Sequence, residues 1–577
     1  MFRPNTQHQQ PSFFNSDFLM PPKMREQLRQ SWAHIFRTAV FARIPEEEFA
    51  PLYSDKDSRP NAPVNVLVGG DILKDGFGWT DEELKDHLQF DLLTRYALGL
   101  DDLGQAPPTL RTFSNHRRRV REYAAATEVN LYEVVFETIT DEQLIALELK
   151  TDWQRMDSTQ LLSNIAQMSR LALVISVLQQ GVKALPAAMR SQWPEEATDY
   201  LKQRPRTICY RIKQEEVEDH LRRVGQWLLK AAAELAEQAE RGEALALVER
   251  VLREQYQIDD GRRVTLRPAQ QVSGDSLQSP HDPDATYRQK NDESYRGYVT
   301  NLSETCHPEN DVQLITSVQT ASNTTDDTTL LDESLQRQTE RGIEIEQMVV
   351  DGGYTGPDGE KTCADHKVAL QPSRLRGGRA AADQMGWDAF SWALTEDGIP
   401  QQVTCPQGQT ASLQPGRADN RWLARFDAAT CAACPLFEQG CRVEPRKRLP
   451  PTLNVTTRTI QVARLRQRIT GLSKRIRAVV EATVRSFKRP LAASKLPVRG
   501  LIRSHMVACN MALMVNVKRL HRHSLEKAQK AKQPRPSLSL AVISRQIWLI
   551  WVFFVALRAN FRRLRSPGRP AVATISG

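Results

Sequence analysis

Apolar and polar positions follow two periods along this chain, and the changes between them mark its segments. From Val64 to Tyr123 the period is helical. Thr80-Asp-Glu-Glu83 predicts a capping box, opening a helix with Leu84, Leu88 and Leu92 on one side. A Pro-containing loop at 104–108 leads to a second helix from about Thr109, which carries Arg111, His116, Arg117, Arg118, Arg119 and Arg121. Asp152 to Asp157 reads as a short strand, whereas Leu161–Leu185 and residues 215–255 read as long helices. The pattern then turns to strands at Arg296–Leu302 and Val312–Val318, a helix at Asp326–Arg341, and a buried strand at Ile345–Val350 that runs into Asp351-Gly-Gly. Helical stretches return at about Thr459–Lys488 and Leu501–Leu520.

The element order strand, helical insertion, strand, strand, helix, strand is that of a ribonuclease-H-like α/β core. The expected domains are an extended or weakly ordered arm (1–60) and a helical, helix-turn-helix-like module (61–150). The α/β catalytic core follows (151–360 and 455–520), with a helical insert at about 160–270. A Cys-rich insert (361–454) and a basic linker with an apolar C-terminal helix (521–577) complete the chain. A helical module ending in an Arg-rich helix suits phosphates and guanine edges. A solvated basic helix has the same composition.

Charge sharpens this picture. The net charge is +9, yet residues 442–577 hold 30 Lys and Arg against three acids, Glu444, Glu481 and Glu526. That quarter of the chain carries +27 and leaves about −18 for the remainder, an asymmetry that points to a phosphate-bearing partner. The apolar run Ile547–Leu557 is shorter than the roughly 20 residues a membrane span requires. The first residues lack the apolar core of a signal peptide. The expectation is a cytoplasmic protein with no membrane partner.

Phosphodiester cleavage needs carboxylates that converge on divalent cations from different elements. Asp157 closes the first strand and Asp351 the later buried strand, places where neighbouring carboxylates can meet; each could equally be a turn residue. Glu481 stands out as a solitary acid in a cationic stripe. On a helix, Lys474, Arg477, Arg485 and Lys488 fall within about 40° of it. Ile476, Val480, Val484 and Phe487 form a separate face. Asp326 and Asp327 read as helix caps or as auxiliary acids.

These motifs resemble a known family. Arg477-x3-Glu481-x6-Lys488 resembles the segment around the catalytic glutamate of bacterial insertion-sequence DDE transposases, with Lys474 standing where that family usually has Tyr. Val349-Val-Asp351-Gly-Gly-Tyr354 and Met156-Asp157-Ser-Thr-Gln160 are similar to its two aspartate segments. Asp282-Pro-Asp284-Ala and the Cys-rich insert resemble one branch of it. The resemblance spans roughly residues 60–520. It implies a catalytic, metal-holding triad of Asp157, Asp351 and Glu481, a requirement for two Mg2+ ions (or Mn2+), and cleavage and strand transfer at terminal inverted repeats. Phosphate contacts would come from Arg477, Arg485 and Lys488, and from Arg117, Arg118, Arg119 and Arg121. The implied partners are double-stranded DNA at the element ends and target, and further copies of the chain in a synaptic complex at the bacterial nucleoid. A catalytically inactive, transposase-derived DNA-binding repressor is the alternative.

Cys405, Cys431, Cys434 and Cys441 form a C-x25-C-x2-C-x6-C set that suits a structural Zn2+. Cys363 and His366 could substitute for a ligand, while Cys209 and Cys509 read as packing residues. Trp387, Trp392 and Trp422 read as core, with base stacking as the other use.

Overall fold

Residues 20–52, expected to belong to an arm, are helical in the computed structural model, which describes residues 1–9, 20–54, 56, 60–238, 242–259, 261, 263–290, 292–375, 384–395, 398–436, 439–444, 449–469 and 471–532. The helices α1 (Pro22–Arg29) and α2 (Trp32–Ala39) and the 3-10 turns after them bury Phe36, Phe41 and Phe49. Each element is too short to show a period, so tertiary burial decides it. The apolar run Ile547–Leu557 lies outside the described residues. Residues 1–521 form one compact unit and 522–577 a second, of which the described part is the end of one helix.

Helix α3 (Val64–Phe77) is buried at every residue except Phe77, with Asn65, Asp71, Lys74 and Asp75 buried among its apolar residues. Around it lie α4 (Asp81–Phe90), α5 (Leu92–Ala97), α6 (Leu110–Thr127) and α7 (Leu131–Ala146). The capping box forms as expected: Glu83 N donates to Thr80 Oγ1 at 3.2 Å, and Thr80 N donates to the Glu83 carboxylate at 2.7 Å.

The central strand β1 (Trp153–Leu162) runs past its expected end at Asp157 and takes up Leu161 and Leu162, which read as helical in the sequence. Pairing with a long partner strand over nine residues holds it extended. A helical insert follows: α8 (Arg170–Ala184), α9 (Glu195–Lys202), α10 (Pro205–Arg211), α11 (Val217–Ala236) and α12 (Gly242–Gln255). It closes its own core around Val174, Leu178, Trp227, Leu228 and Val251. The chain then adds β2 (Thr286–Lys290), β3 (Glu293–Thr305), β4 (Ile315–Ser322), α13 (Asp327–Glu340), β5 (Gln347–Val350), α14 (Pro357–Asp365) and β6 (Ala369–Pro372). The sheet order is β2-β3-β1-β5-β6, and β4 also pairs with β3. β1 is antiparallel to β3 and parallel to β5, and β5 is parallel to β6.

The Cys-rich segment contains a second, antiparallel sheet that the sequence pattern did not reveal. It comprises β7 (Ser391–Leu394), β8 (Pro400–Thr404), β9 (Thr410–Pro415), β10 (Arg421–Arg425) and β11 (Thr452–Thr456), each paired with the next. The expected helix Thr459–Lys488 is two helices, α15 (Thr457–Gln467) and α16 (Gly471–Lys488). The last helix, α17 (Leu501–Lys532), continues into the segment expected as a linker. No described helix is long and apolar enough to cross a membrane.

One apolar cluster joins α3, α6 and α7 to Leu161, Tyr298 and Leu302 of the main sheet and to Met511–Val515 of α17. Asn510 on α17 donates to the buried Asp75 at 2.8 Å. The N-terminal helices therefore share the core of the α/β sheet. Asp282 accepts from Tyr298 Oη at 2.6 Å, from Gly500 N at 3.1 Å and from Ser163 Oγ, while Asp284 accepts from Leu501 N at 3.0 Å. These two acids fasten the start of α17 to β1 and β3.

Candidate functional site

The parallel pairing of β1 with β5 fixes the two aspartates. Arg155 is in register with Val349, so two residues further Asp157 and Asp351 stand abreast where β5 has ended and β1 continues. Both carboxylates line one small cleft, with Ser373 beyond β6 and with Ile476 and Val480 of α16 on its wall. Glu481 follows Val480 directly and is exposed. The structure thus brings Asp157 and Asp351 together and lays the Glu481 helix against their cleft.

A second tier surrounds this pair. The Ser158 hydroxyl stands 3.4 Å from Asp327, and the Tyr354 hydroxyl donates to Asn301 at 3.0 Å, the residue paired with Ser158 across the sheet. Burial first, then the carboxylates of Asp327 and Asp157, push the Tyr354 phenol well above its ordinary pKa. Tyr354 is thereby kept as a hydroxyl donor to Asn301. Asp326 caps α13, accepting from Thr328 N at 2.8 Å, while Asp327 turns inward and is 7% exposed. The sequence signal for that split was faint: both acids sit at a helix start, and only the burial of the second distinguishes them.

Beneath the cleft lies a buried ion cluster that no motif announced. Arg155 Nε donates to Glu304 at 2.6 Å, Thr483 Oγ1 donates to the same oxygen at 2.8 Å, and Arg519 stands 2.6 Å from the other. Burial alone would raise the Glu304 pKa, but Arg519, Arg155 and Thr483 together hold it below the ordinary value. This cluster ties α16, two residues after Glu481, to β1, β3 and α17.

The expected phosphate contacts are placed unevenly. Arg485 is exposed, whereas Lys488 is half-buried with its ammonium 3.2 Å from the Gln160 carbonyl, and burial lowers its pKa. The side chains of Lys474 and Arg477 lie outside the described residues. On α6, Arg118, Arg119 and Arg121 are exposed. Arg117 departs from the expectation of a phosphate ligand. It donates to the buried Asp71 at 2.6 and 2.8 Å and to Asp81 at 2.8 Å, and Tyr132 Oη also donates to Asp71 at 2.6 Å. A desolvated carboxylate 46 residues away has taken it into the module. His116 faces the same interior, stacked on Phe49. Burial lowers its pKa to about 4.

Cys405, Cys434 and Cys441 lie near enough to Cys431 to raise its thiol pKa, after burial as the larger cause. Four thiols are soft donors of the kind that Zn2+ accepts. Among the described residues, though, no three His, Cys, Asp or Glu side chains stand in metal-holding geometry. Cys363 is not a substitute ligand: it is buried in the separate core around Met348 and Tyr354, and His366 is 2.8 Å from Asp332. Cys509 is buried beside His505, while Cys209 is half-buried. Trp387 and Trp392 pack with Phe390, and Trp422 Nε1 donates to Thr457 at 2.9 Å.

No curated protein and no solved structure matches the chain. Two family models do. Residues 23–119 match the model described as Transposase domain (DUF772), covering the helices from α1 into α6. Residues 404–521 match the one described as Transposase DDE domain, which spans most of the small sheet, α15, α16 and the start of α17. One match bears the exposed cationic helix and the other the Glu481 helix, and together they indicate an insertion-sequence DDE transposase.

Proposed function

We propose that this chain cuts the DNA at the terminal inverted repeats of its element and joins those ends to a target, using Asp157, Asp351 and Glu481 on a ribonuclease-H-like sheet. The observation that carries the reading is the register that sets Asp157 abreast of Asp351 in a cleft walled by the residue before Glu481. The order of three antiparallel strands followed by two parallel ones supports the fold assignment. The two aspartates are hard oxygen donors of the kind that Mg2+ or Mn2+ takes. When bound, a pair of such ions supplies Lewis-acid stabilisation to the attacking and leaving oxygens of an in-line displacement.

The chain's own residues do the rest. Tyr354, Ser158 and Asp327 hold the aspartate-bearing segments, and the Glu304 cluster holds α16 at its distance from the sheet. Arg477 and Arg485 meet phosphate oxygens, Arg in bidentate fashion, and Lys488 adds a point charge. In the N-terminal module, Arg118, Arg119 and Arg121 of α6 meet the duplex as a helix-turn-helix-like element, and Arg117 sets the position of α6. Zn2+ on Cys405, Cys431, Cys434 and Cys441 would fasten the small sheet. Pairing of two ends calls for at least two copies of the chain.

The test is Mg2+-dependent cleavage of DNA that carries the flanking inverted repeats, with Glu481→Gln run beside wild type and binding measured on the same DNA. Loss of cleavage with retention of binding is the expected result. Binding without cleavage by either protein, in Mg2+ or Mn2+, overturns the proposal in favour of a DNA-binding repressor.

A further inference from the structure

A second, larger cleft lies away from the aspartates, between the helical insert and the far end of β1. Its volume is about 1040 Å³. Lys183 of α8, Arg204 and Arg206 at the start of α10, Arg296 of β3 and Lys495 all line it, and no Asp or Glu does. Among the described residues none of these five cations is ion-paired. In a chain whose first 441 residues carry an excess of acids, five cations gathered around one concavity without a carboxylate call for an anionic occupant. The floor is apolar, formed by Leu162, Ile165, Met168 and Ala172. An inorganic anion has no use for such a floor, whereas the base of a nucleotide does.

Shape narrows the occupant further. The volume matches the upper end of the range that encloses a single drug-sized ligand, about 300–1,000 Å³. That is room for a few nucleotides of one strand. A duplex keeps its bases stacked inside and cannot lay them on that floor, whereas a single strand can. Tyr210 supplies an independent observation. It is 91% exposed, and it lies four residues after Arg206 on the same face of α10. Its chain neighbour Cys209 lines the cleft, and an unpacked aromatic next to such a lining is an arrangement that stacks unpaired bases.

We propose that this cleft, with Tyr210 at its margin, holds a short single-stranded DNA segment by its phosphates and bases. The inference rests on the DNA-processing reading and adds a distinct subsite to it. Leu162 lies five residues beyond Asp157 on β1, and Lys495 bridges to it. At about 3.3 Å per residue, the two sites stand roughly 16 Å apart along one strand of the sheet. A strand melted next to the cut can thus leave the carboxylate cleft and be held at the insert, so that the cleaved end stays apart from its complement.

The test is fluorescence anisotropy with a labelled, unstructured oligo-dT and the full chain, in parallel with a duplex carrying the inverted repeat. The double variant Arg204→Ala/Arg206→Ala changes two exposed side chains. It should bind oligo-dT at least tenfold more weakly, and its slope of log affinity against log salt should be flatter by about 1.4, or 0.7 for each lost phosphate contact. Duplex affinity should stay within twofold. Tyr210→Ala should weaken oligo-dT about tenfold, as expected for a lost stacking contact, with the salt slope unchanged. Unchanged oligo-dT binding by both variants, or equal losses on oligo-dT and duplex, overturns the subsite. Glu481→Gln keeps oligo-dT binding in this scheme, so failure of the cleavage reading and failure of the subsite are separately visible.

Discussion

The N-terminal helical module and the Cys-bearing sheet each carry part of a family match, yet they are built in opposite ways. The first has no core of its own: α3 is buried between its neighbours and α17, and the apolar cluster runs on into the main sheet. It also buries ionised groups, Asp71 with Arg117 and Asp75 near Lys74. The second closes a separate core around Phe390, Val403, Ala424 and Leu453, with Ile460 and Ala463 of α15 as its lid. A recognisable segment is thus not the same thing as an independent folding unit. The module that looks detachable from the sequence is the one that shares its core with the main sheet.

The largest effect expected from breaking this contrast is at Asp71. Asp71→Ala leaves the Tyr132 hydroxyl without its acceptor and Arg117 with Asp81 alone, which should cost about 3–5 kcal/mol in urea denaturation. Because the core is shared, hydrogen exchange should rise in β3 as well as in α3. A loss below 1 kcal/mol, or one confined to residues 20–146, would sever the proposed link between module and sheet.

A smaller effect follows from His116, whose two ring nitrogens lack hydrogen-bond partners among the described residues. Its folded pKa of about 4 lies below the unfolded value of 6.5. The unfolded chain therefore binds the proton first, and stability that is complete above pH 6.5 drains away as pH falls towards 4. By pH 5 the loss should reach about 2 kcal/mol. The comparison is with His116→Phe, which keeps the stack on Phe49 and should show a shallower decline between pH 7 and 5. Parallel declines in the two proteins would mean that His116 is charged in the folded state.

The smallest effect belongs to the other region. In protein stripped of metal, Cys431→Ala removes one buried sulfur from the small sheet and should cost about 1 kcal/mol. Its signature is local: faster exchange within residues 391–456 and none in α3. Exchange that spreads to α3 would show the two cores to be coupled after all.

Legibility in the sequence followed the range of the interactions. The Thr80–Glu83 box, the Asp326 cap and the strand before Asp351 were readable because each is decided within a few residues. The pairing of Asp157 with Asp351 was readable in part: Asp351 stands where an extended run meets turn residues, whereas Asp157 lies inside β1, which continues to Leu162. The strands β7–β11 are only four to six residues long, too short to declare a period. β1 outran its expected end because nine cross-strand pairs with β3 override a locally helical pattern at Leu161 and Leu162. Arg117 and Glu304 were opaque for a different reason: what they do is set by charges far away in sequence, Asp71 for one, Arg155 and Arg519 for the other.

The close fit of α17 against α3 has a consequence for synthesis. A Cβ at Gly76 would lie 2.0 Å from Met514 Cγ, and the Asp75–Asn510 bond joins residues 435 apart. At about 5–20 residues per second, a ribosome needs roughly 20–90 s to cover that interval. For that time the most apolar helix of the nascent chain waits without its cover, exposed to chaperones and to other unfinished chains. Translation that stops before Leu501 leaves it uncovered permanently. Early termination therefore yields material for the quality-control machinery, and not a free-standing N-terminal module.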